Sequence, residues 1–452
     1  MPDILLITAN VGSLFDENPV IKSQWKDNVI NTIKEKCAKF IVLNFQETGG
    51  KEFKKYSKDV SGVINDLFNS LTDYPIVRAF LDLDFETVEE YTALGTVVFI
   101  HKDWESNVEQ WIFNENNVEN ENGYFTALKD NENIIEEKIS TSKFVKKQKF
   151  AKEFWPEFKW GRKGYLHTRW RINSRILDFI NIHLFHDESN LELTQNPLLY
   201  SQNRQRALNY TIDQYNEWTS LQKDKALCHG NLFIFGDFNF RLRTDSFLRK
   251  ITKDQEIHEI EDINKSASFP SQVSEFETNK QQNTLNGVIA HDTLKRNLSA
   301  IEFRPKEDKK KLLDDSKWVS KFCYFFKEKY VFKTDNHFYS IVLRIEKKRF
   351  DYVDAATFVT KWDQYRDDDT EPREFSLKEM QIKFPPTYPW SEDPLCSNCF
   401  MKTRAPAWCD RVLMNNEAFE LVQKDSKSVY TCIGLNACMG DHKPVLLGFS
   451  LL

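Results

Sequence analysis

The chain has 452 residues, is 40% hydrophobic with 36 Phe and 11 Trp, and carries a formal net charge of −6. That apolar content fills a sizeable core, and the acidic balance argues against a nucleic-acid partner. No stretch approaches the ~20 apolar residues a membrane span needs, and Met1-Pro2-Asp3 before Ile4–Ile7 lacks the pattern of a secretory signal. A cytoplasmic protein is the expectation.

Ile4–Asn10 reads as a buried strand. Ser23 is placed to cap a helix whose apolar face is Trp25, Val29, Ile33, Cys37 and Phe40. Phe40–Phe45 is β-rich and is closed by Gln46-Glu47 and Gly49-Gly50. Another strand is expected over 94–101, and the Asn- and Glu-rich stretch 105–122 reads as a surface loop. Residues 143–175 hold eleven Lys or Arg against two Glu, a basic island suited to an anion or to a solvated surface. Residues 165–172 and 176–185 form a hairpin pattern around Asn173-Ser174. A helix follows from about Ser201, with Leu208, Ile212, Tyr215 and Trp218 in one stripe. Arg204 lies on that inward face, where a buried guanidinium must find an anion. Leu232–Phe240 is a further strand.

Residues 245–380 are Lys- and Glu-rich, with helical patterns around Lys317–Lys329 and Tyr339–Tyr352 and an exposed run at Lys306–Lys311. The Cys396-x-x-Cys399 pair lacks the four ligands of a structural zinc site, so free thiols are expected. No Pro-, Gly- or Ser-rich linker divides the chain, and candidate site residues run from Asn10 to His442. One domain over 1–452 is expected, with a charged, partly helical insertion at about 245–335. Short strands interleaved with a few helices fit an α+β class, a β-sandwich flanked by helices.

Four apolar runs end on short polar residues: Asn10, Glu47, His183, and Asp237 with Asn239; Asp441-His442 precedes the last run. A phosphoryl transfer needs a divalent cation, donors for the phosphate oxygens and a group that aligns water. Mg²⁺ takes hard oxygens and one or two carboxylates; Glu47 is the natural ligand, with Asn10 beside it. Asp237 and Asn239, at i and i+2, share a strand face, the first to take a proton from water and the second to donate its amide to phosphate. His442 can contact phosphate if a carboxylate keeps it protonated, and Asp410 is the candidate. His183 supplies a further donor, and His186 reads as structural.

The strings Phe235-Gly236-Asp237-Phe238-Asn239-Phe240-Arg241-Leu242 and Arg404-Ala405-Pro406-Ala407-Trp408-Cys409-Asp410-Arg411 resemble the two signatures of the inositol polyphosphate 5-phosphatases, in the endonuclease/exonuclease/phosphatase superfamily. The resemblance implies a four-layer αββα sandwich, Mg²⁺ dependence and removal of a ring 5-phosphate. It implies Asp441 near the metal, and Lys163, Tyr388, Lys402 and Arg404 around a neighbouring 4-phosphate. Pro389-Trp390 after Tyr388, the His183-Leu184-Phe185-His186-Asp187 string and Arg204 are similar to the type I enzymes, which act on soluble inositol 1,4,5-trisphosphate and 1,3,4,5-tetrakisphosphate. The Phe449-Ser450-Leu451-Leu452 ending lacks the Cys of a prenylation box. A phosphoinositide-lipid 5-phosphatase is the rival, since Phe144, Phe150, Phe154 and Trp155 in the basic island offer weak membrane-surface contact. A nuclease wants a broad basic groove. A catalytically silent inositol-phosphate binder would lack one of Glu47, Asp237, Asn239 or His442, and all four are present.

Overall fold

The computed structural model describes residues 2–15, 18–113, 123–128, 133–154, 161–228, 230–261, 298–305 and 341–451. Strands β1 (Ile4–Asn10) and β2 (Phe40–Gln46) are buried along their whole length, as uninterrupted apolar runs require. Their side chains alternate between two environments. Ile4, Leu6, Phe40 and Val42 face a second sheet, whereas Leu5, Ile7, Ile41 and Leu43 face helices.

The first sheet has the order β17 (Val429–Cys432), β18 (Val445–Phe449), β1, β2, β4 (Gly95–Ile100), β3 (Ile76–Leu81) and β7 (Ile134–Glu136). The second runs β16 (Asp410–Met414), β11 (Asn231–Asp237), β10 (Arg175–His183), β9 (Gly164–Ile172), β5 (Val108–Phe113) and β6 (Gly123–Ala127), with β8 (Lys146–Lys149) beside β9. Helices α1 (Pro19–Lys36) and α2 (Phe53–Ser70) cover the first sheet through Trp25, Val29, Val63 and Leu67. After α3 (Asn190–Gln195), α4 (Leu199–Ser220) covers the second, setting Ala207, Leu208, Tyr215 and Trp218 on Ile180, Ile182, Leu232 and Ile234. The result is the four-layer αββα sandwich.

The contact between the sheets is not wholly apolar near the strand ends. Asn44 Nδ2 donates to the Phe235 carbonyl (3.1 Å) and Gln46 Nε2 to Asn181 Oδ1 (2.8 Å). Asn181 Nδ2 returns to the Gly95 carbonyl (2.8 Å). These bonds fix one sheet against the other just below the cluster of polar strand ends.

Several expectations change. α1 starts at Pro19 behind an Asn18 cap, not at Ser23; the Asn18 side chain takes an orphan N–H and proline suits the first turn. Cys37 is an exposed left-handed C-cap, not part of the apolar face. The supposed loop 105–122 contains β5, whose Val108, Trp111 and Phe113 are buried; 114–122 lie outside the described residues. Within the expected insertion, the described part is α5 (Thr244–Ile251), β12 (Gln255–Glu261) and β13 (Leu298–Pro305). Of the helical pattern expected at 339–352, the described part from 341 on is instead the hairpin β14 (Leu343–Glu346) and β15 (Arg349–Tyr352), which completes a third sheet. Leu343, Ile345 and Phe350 bury one face there, and that period of two overrides helix propensity. The runs at 306–311 and 317–329 lie outside the described residues. Cys396 and Cys399 are joined as a disulfide, not left as free thiols; the turn at Pro394–Cys396 brings their Cα atoms to 5.5 Å.

Gly236 lies in β11 against Ile182 of β10 and Arg411 of β16. An added Cβ would sit 1.9 Å from the Ile182 carbonyl oxygen, so the close approach of the strands requires the glycine before Asp237. Gly236→Ala is expected to lower stability by about 3 kcal/mol, the upper range for overpacking, measured as a fall in the urea midpoint. An unchanged midpoint would show that the strands have room to part.

Candidate active site

Strand ends from both sheets meet at Asp237. Parallel pairing puts His183 of β10 in register with Asp237, and antiparallel pairing puts Asp410 of β16 there too. From the first sheet, Asn10 Nδ2 donates to Asp237 Oδ2 at 3.0 Å. Glu47 follows β2 with φ +56°, which turns its side chain to within 3.8 Å of His183 Nε2.

Burial alone would raise the Asp237 carboxyl, but His442 and His183 outweigh it and hold the group well below the usual carboxylate range. His183 Nε2 is 3.3 Å from Asp237 Oδ2 and His442 Nε2 is 4.0 Å from it. Glu47 is likewise pushed up by burial, yet His183, Lys163 and Arg162 bring it down to about 2. Lys163 touches His183 Nε2, and burial lowers the ammonium to about 8 despite Glu47 and Asp237. Burial and Lys163 also lower His183. For His442 burial works against the charged ring, but Asp410, at 2.8 Å from Nδ1, and Asp237 raise it to about 10. The Tyr388 ring packs on His442 at 4.6 Å between centroids.

Two oxygen donors converge above Gly12. A Cβ there would lie 2.9 Å from Glu47 Oε2 and 3.3 Å from Asn10 Oδ1. An ionised carboxylate and an amide oxygen over a bare backbone fit a hard divalent cation that keeps its waters. Asp441 Oδ1 accepts the hydroxyl of Ser13, the next residue, at 2.8 Å. Asp237, Asp410 and His442 also lie within a metal's span, but a protonated imidazole bound to Asp410 has no lone pair to offer. That group is a charge triad.

The structure changes four assignments. Asn239 is outside the strand, with φ +52°, so strand alternation does not align it with Asp237. Its Nδ2 hydrogens go to the Leu184 carbonyl (3.0 Å) and to Asp237 Oδ2 (3.2 Å), so it holds the carboxylate and has no amide hydrogen left for phosphate. Arg204 did find its anion, but within the protein: Asp187 at 2.5 Å and both oxygens of Glu371. Arg404 donates to Asn190 and to the carbonyls of Asp187, Glu188 and Lys347. Lys402 is two-thirds exposed and pairs with Asp351 at 2.9 Å.

Sequence reasoning passed over Arg241 and Arg162. Arg241 donates to Asn239 Oδ1 at 3.0 Å and lies 4.7 Å above the Tyr388 ring. Arg162 Nη2 is 3.8 Å from Glu47. The signal was available, since both are basic residues within two positions of assigned ones.

Two outcomes follow from this geometry. In Asp410→Asn, His442 loses its main charge partner, and the alkaline limb of the kcat/KM profile is expected to move down by more than about one pH unit toward the ordinary imidazole value. An unmoved limb would remove His442 from that ionisation. Arg204→Met removes the ion-pair partner of Glu371 and leaves buried Asp187 only the longer Arg241 contact at 3.6 Å, and is expected to cost about 3–5 kcal/mol in urea unfolding. A raised KM with full stability would show a substrate contact instead.

The chain matches the family model Endonuclease/Exonuclease/phosphatase family 2 over residues 23–291 and 343–448. It is 42% identical over 455 residues, covering both chains fully, to the "Probable type I inositol 1,4,5-trisphosphate 5-phosphatase" of Caenorhabditis elegans. It is 32% identical over 459 residues, 99% of this chain and 93% of the other, to the human "Inositol polyphosphate-5-phosphatase A". Among solved structures, the inositol polyphosphate 5-phosphatase domain of SPsynaptojanin, in complex with inositol (1,4)-bisphosphate and calcium ion, aligns with TM-score 0.43 and 12% identity over 98% of this chain and 82% of that one; that likeness is too low to carry argument. The full-length identities and the family match agree with the two signature strings, and the chain belongs to the endonuclease/exonuclease/phosphatase family and, within it, to the inositol polyphosphate 5-phosphatases.

Proposed function

We propose that the chain is a Mg²⁺-dependent phosphoric monoester hydrolase, acting as one catalytic domain in the cytoplasm. It removes the 5-phosphate of soluble inositol 1,4,5-trisphosphate, and of the 1,3,4,5-tetrakisphosphate, and so ends a calcium-mobilising signal. The observation that carries this reading is the end-to-end relation to the worm type I chain, and the ionised, strand-end cluster around Asp237 supports it.

Glu47 and Asn10 would hold the ion, with Asp441 beside them, and the ion would polarise a phosphate oxygen and offset charge on the leaving group. Asp237 is too acidic to be a strong base. Phosphoryl transfer through a loose transition state asks mainly for alignment, and Asp237, fixed by Asn10 and Asn239, gives a water one acceptor in one place. His442 keeps its proton and presents Nε2 to the scissile phosphate, while Asp410 holds Nδ1. Lys163 and His183 place further donors beside it. Arg241, over Tyr388 and with Nε and Nη1 left without a hydrogen-bond partner, is better placed for the neighbouring 4-phosphate than Lys402, paired with Asp351, or Arg404, bonded to backbone carbonyls.

Three of the four aromatic residues behind the membrane-contact reading pack on the protein. Phe150 is buried, Phe144 packs on Phe80, and Phe154 packs on Tyr210; Trp155 lies outside the described residues. No helix among the described residues is long and apolar enough to cross a membrane.

The test is phosphate release from inositol 1,4,5-trisphosphate in Mg²⁺ and in EDTA, beside short-chain phosphatidylinositol 4,5-bisphosphate. Metal-dependent release chiefly from the soluble ring is expected; preference for the lipid would overturn the substrate assignment, and binding without turnover would leave a silent binder. Asp237→Ala is expected to reduce kcat at least about a hundredfold through lost alignment while the far-ultraviolet circular dichroism is unchanged. A folded variant within a few-fold of wild type would remove Asp237 from the water-aligning role.

A further inference from the structure

A cavity of about 820 Å³ lies between β8 and α4, on the outer face of the second sheet. Its volume is in the range of small-ligand sites. It is separate from the Asp237 cluster. His167 on its floor pairs with Ile180, three residues before His183, which is roughly 10 Å along the strand, and alternation puts those two positions on opposite faces.

Polar groups on the cavity floor are fixed by one another. His167 Nε2 is 2.8 Å from Asp178, which also accepts the Tyr215 hydroxyl at 2.9 Å. Burial raises the Asp178 carboxyl, but Arg169 and these two neighbours keep it low and ionised, so Nε2 carries the hydrogen. Burial keeps the ring neutral, which leaves Nδ1 as an acceptor. No described residue donates to it. Lys146 is the cross-strand partner of His167, and its Nζ lies 5.1 Å over the Trp218 ring and 5.8 Å over Phe113. Among the described residues no carboxylate pairs with Lys146. Glu89, Glu90 and Glu217 stand exposed at the rim, which discourages a highly charged polyanion and offers acceptors to hydroxyls.

We propose that this cavity binds a small polyol carrying a single phosphate, with the phosphate on Lys146 and a hydroxyl donated to His167 Nδ1. The proposal rests on the fold and stands apart from the hydrolase reading.

The test is titration calorimetry of the full chain, in EDTA, with inositol 1-phosphate, inorganic phosphate and unphosphorylated inositol. Inositol 1-phosphate is expected to bind at least about tenfold more tightly than either fragment. Lys146→Glu and Lys146→Gln, both at an exposed position, are expected to weaken it by about tenfold or more and to leave hydrolysis unchanged. His442→Ala, in the other site, is expected to leave this binding unchanged. Absence of binding, binding indifferent to both Lys146 variants, or binding abolished in His442→Ala would overturn the proposal. Equal affinity for inorganic phosphate would reduce the cavity to an anion site and overturn the polyol assignment.

Discussion

An ionised carboxylate buried between two sheets sets the terms for the rest of this molecule. Asp237 is almost inaccessible to solvent, and a charge so placed is costly unless it is bonded and paired. Asn10 reaches it from one sheet, His183 lies beside it on the other, Asn239 turns back onto it, and His442 faces it with Asp410 behind. Each of those residues makes a further bond that limits its own freedom. The left-handed turn at Asn239 and the absence of a side chain at Gly236 are both conditions for putting that carboxylate where it is.

The seam of Asn44, Gln46 and Asn181 belongs to the same problem. Two apolar sheet faces pack without a strong preference for one lateral position. Amides bonded across the interface add such a preference, because any slip leaves buried donors unpaired. The distance from Glu47 on one sheet to Asp237 on the other is thereby set.

Much of this was readable from residues alone. Uninterrupted apolar runs marked the strands buried on both faces, and the polar residue closing each run marked the cluster. Partners were far less legible. Arg204 was rightly assigned to the inward face, but its anion proved to be Asp187 and Glu371, some distance away along the chain. Arg411 similarly goes to Glu379 and Asp369. A basic residue's pattern shows that it is buried, not which acid it meets, because that acid comes from a segment with no periodic relation to it. The third sheet was missed for a related reason: its strands are charged on one face, β14 and β15 have four residues each, and 262–297 separates β12 from β13 in sequence. Net charge was a poor guide to the site, where Lys163, Arg162, Arg241 and His442 gather in a chain that is acidic as a whole.

The central position of β1 carries a consequence for biosynthesis. β1 is flanked by β2 on one edge and by β18 on the other, with Ile4 opposite Phe449. On the ribosome, β1 and β2 emerge early, but the second edge of β1 waits for nearly the whole chain. Through that interval an apolar strand has an open edge, the kind of surface that invites wrong pairing. Asn10 and Glu47 are in place from the start, yet His442 arrives with the turn just before β18. The strand that seals the second edge of β1 is therefore the one whose docking also brings His442 to Asp237.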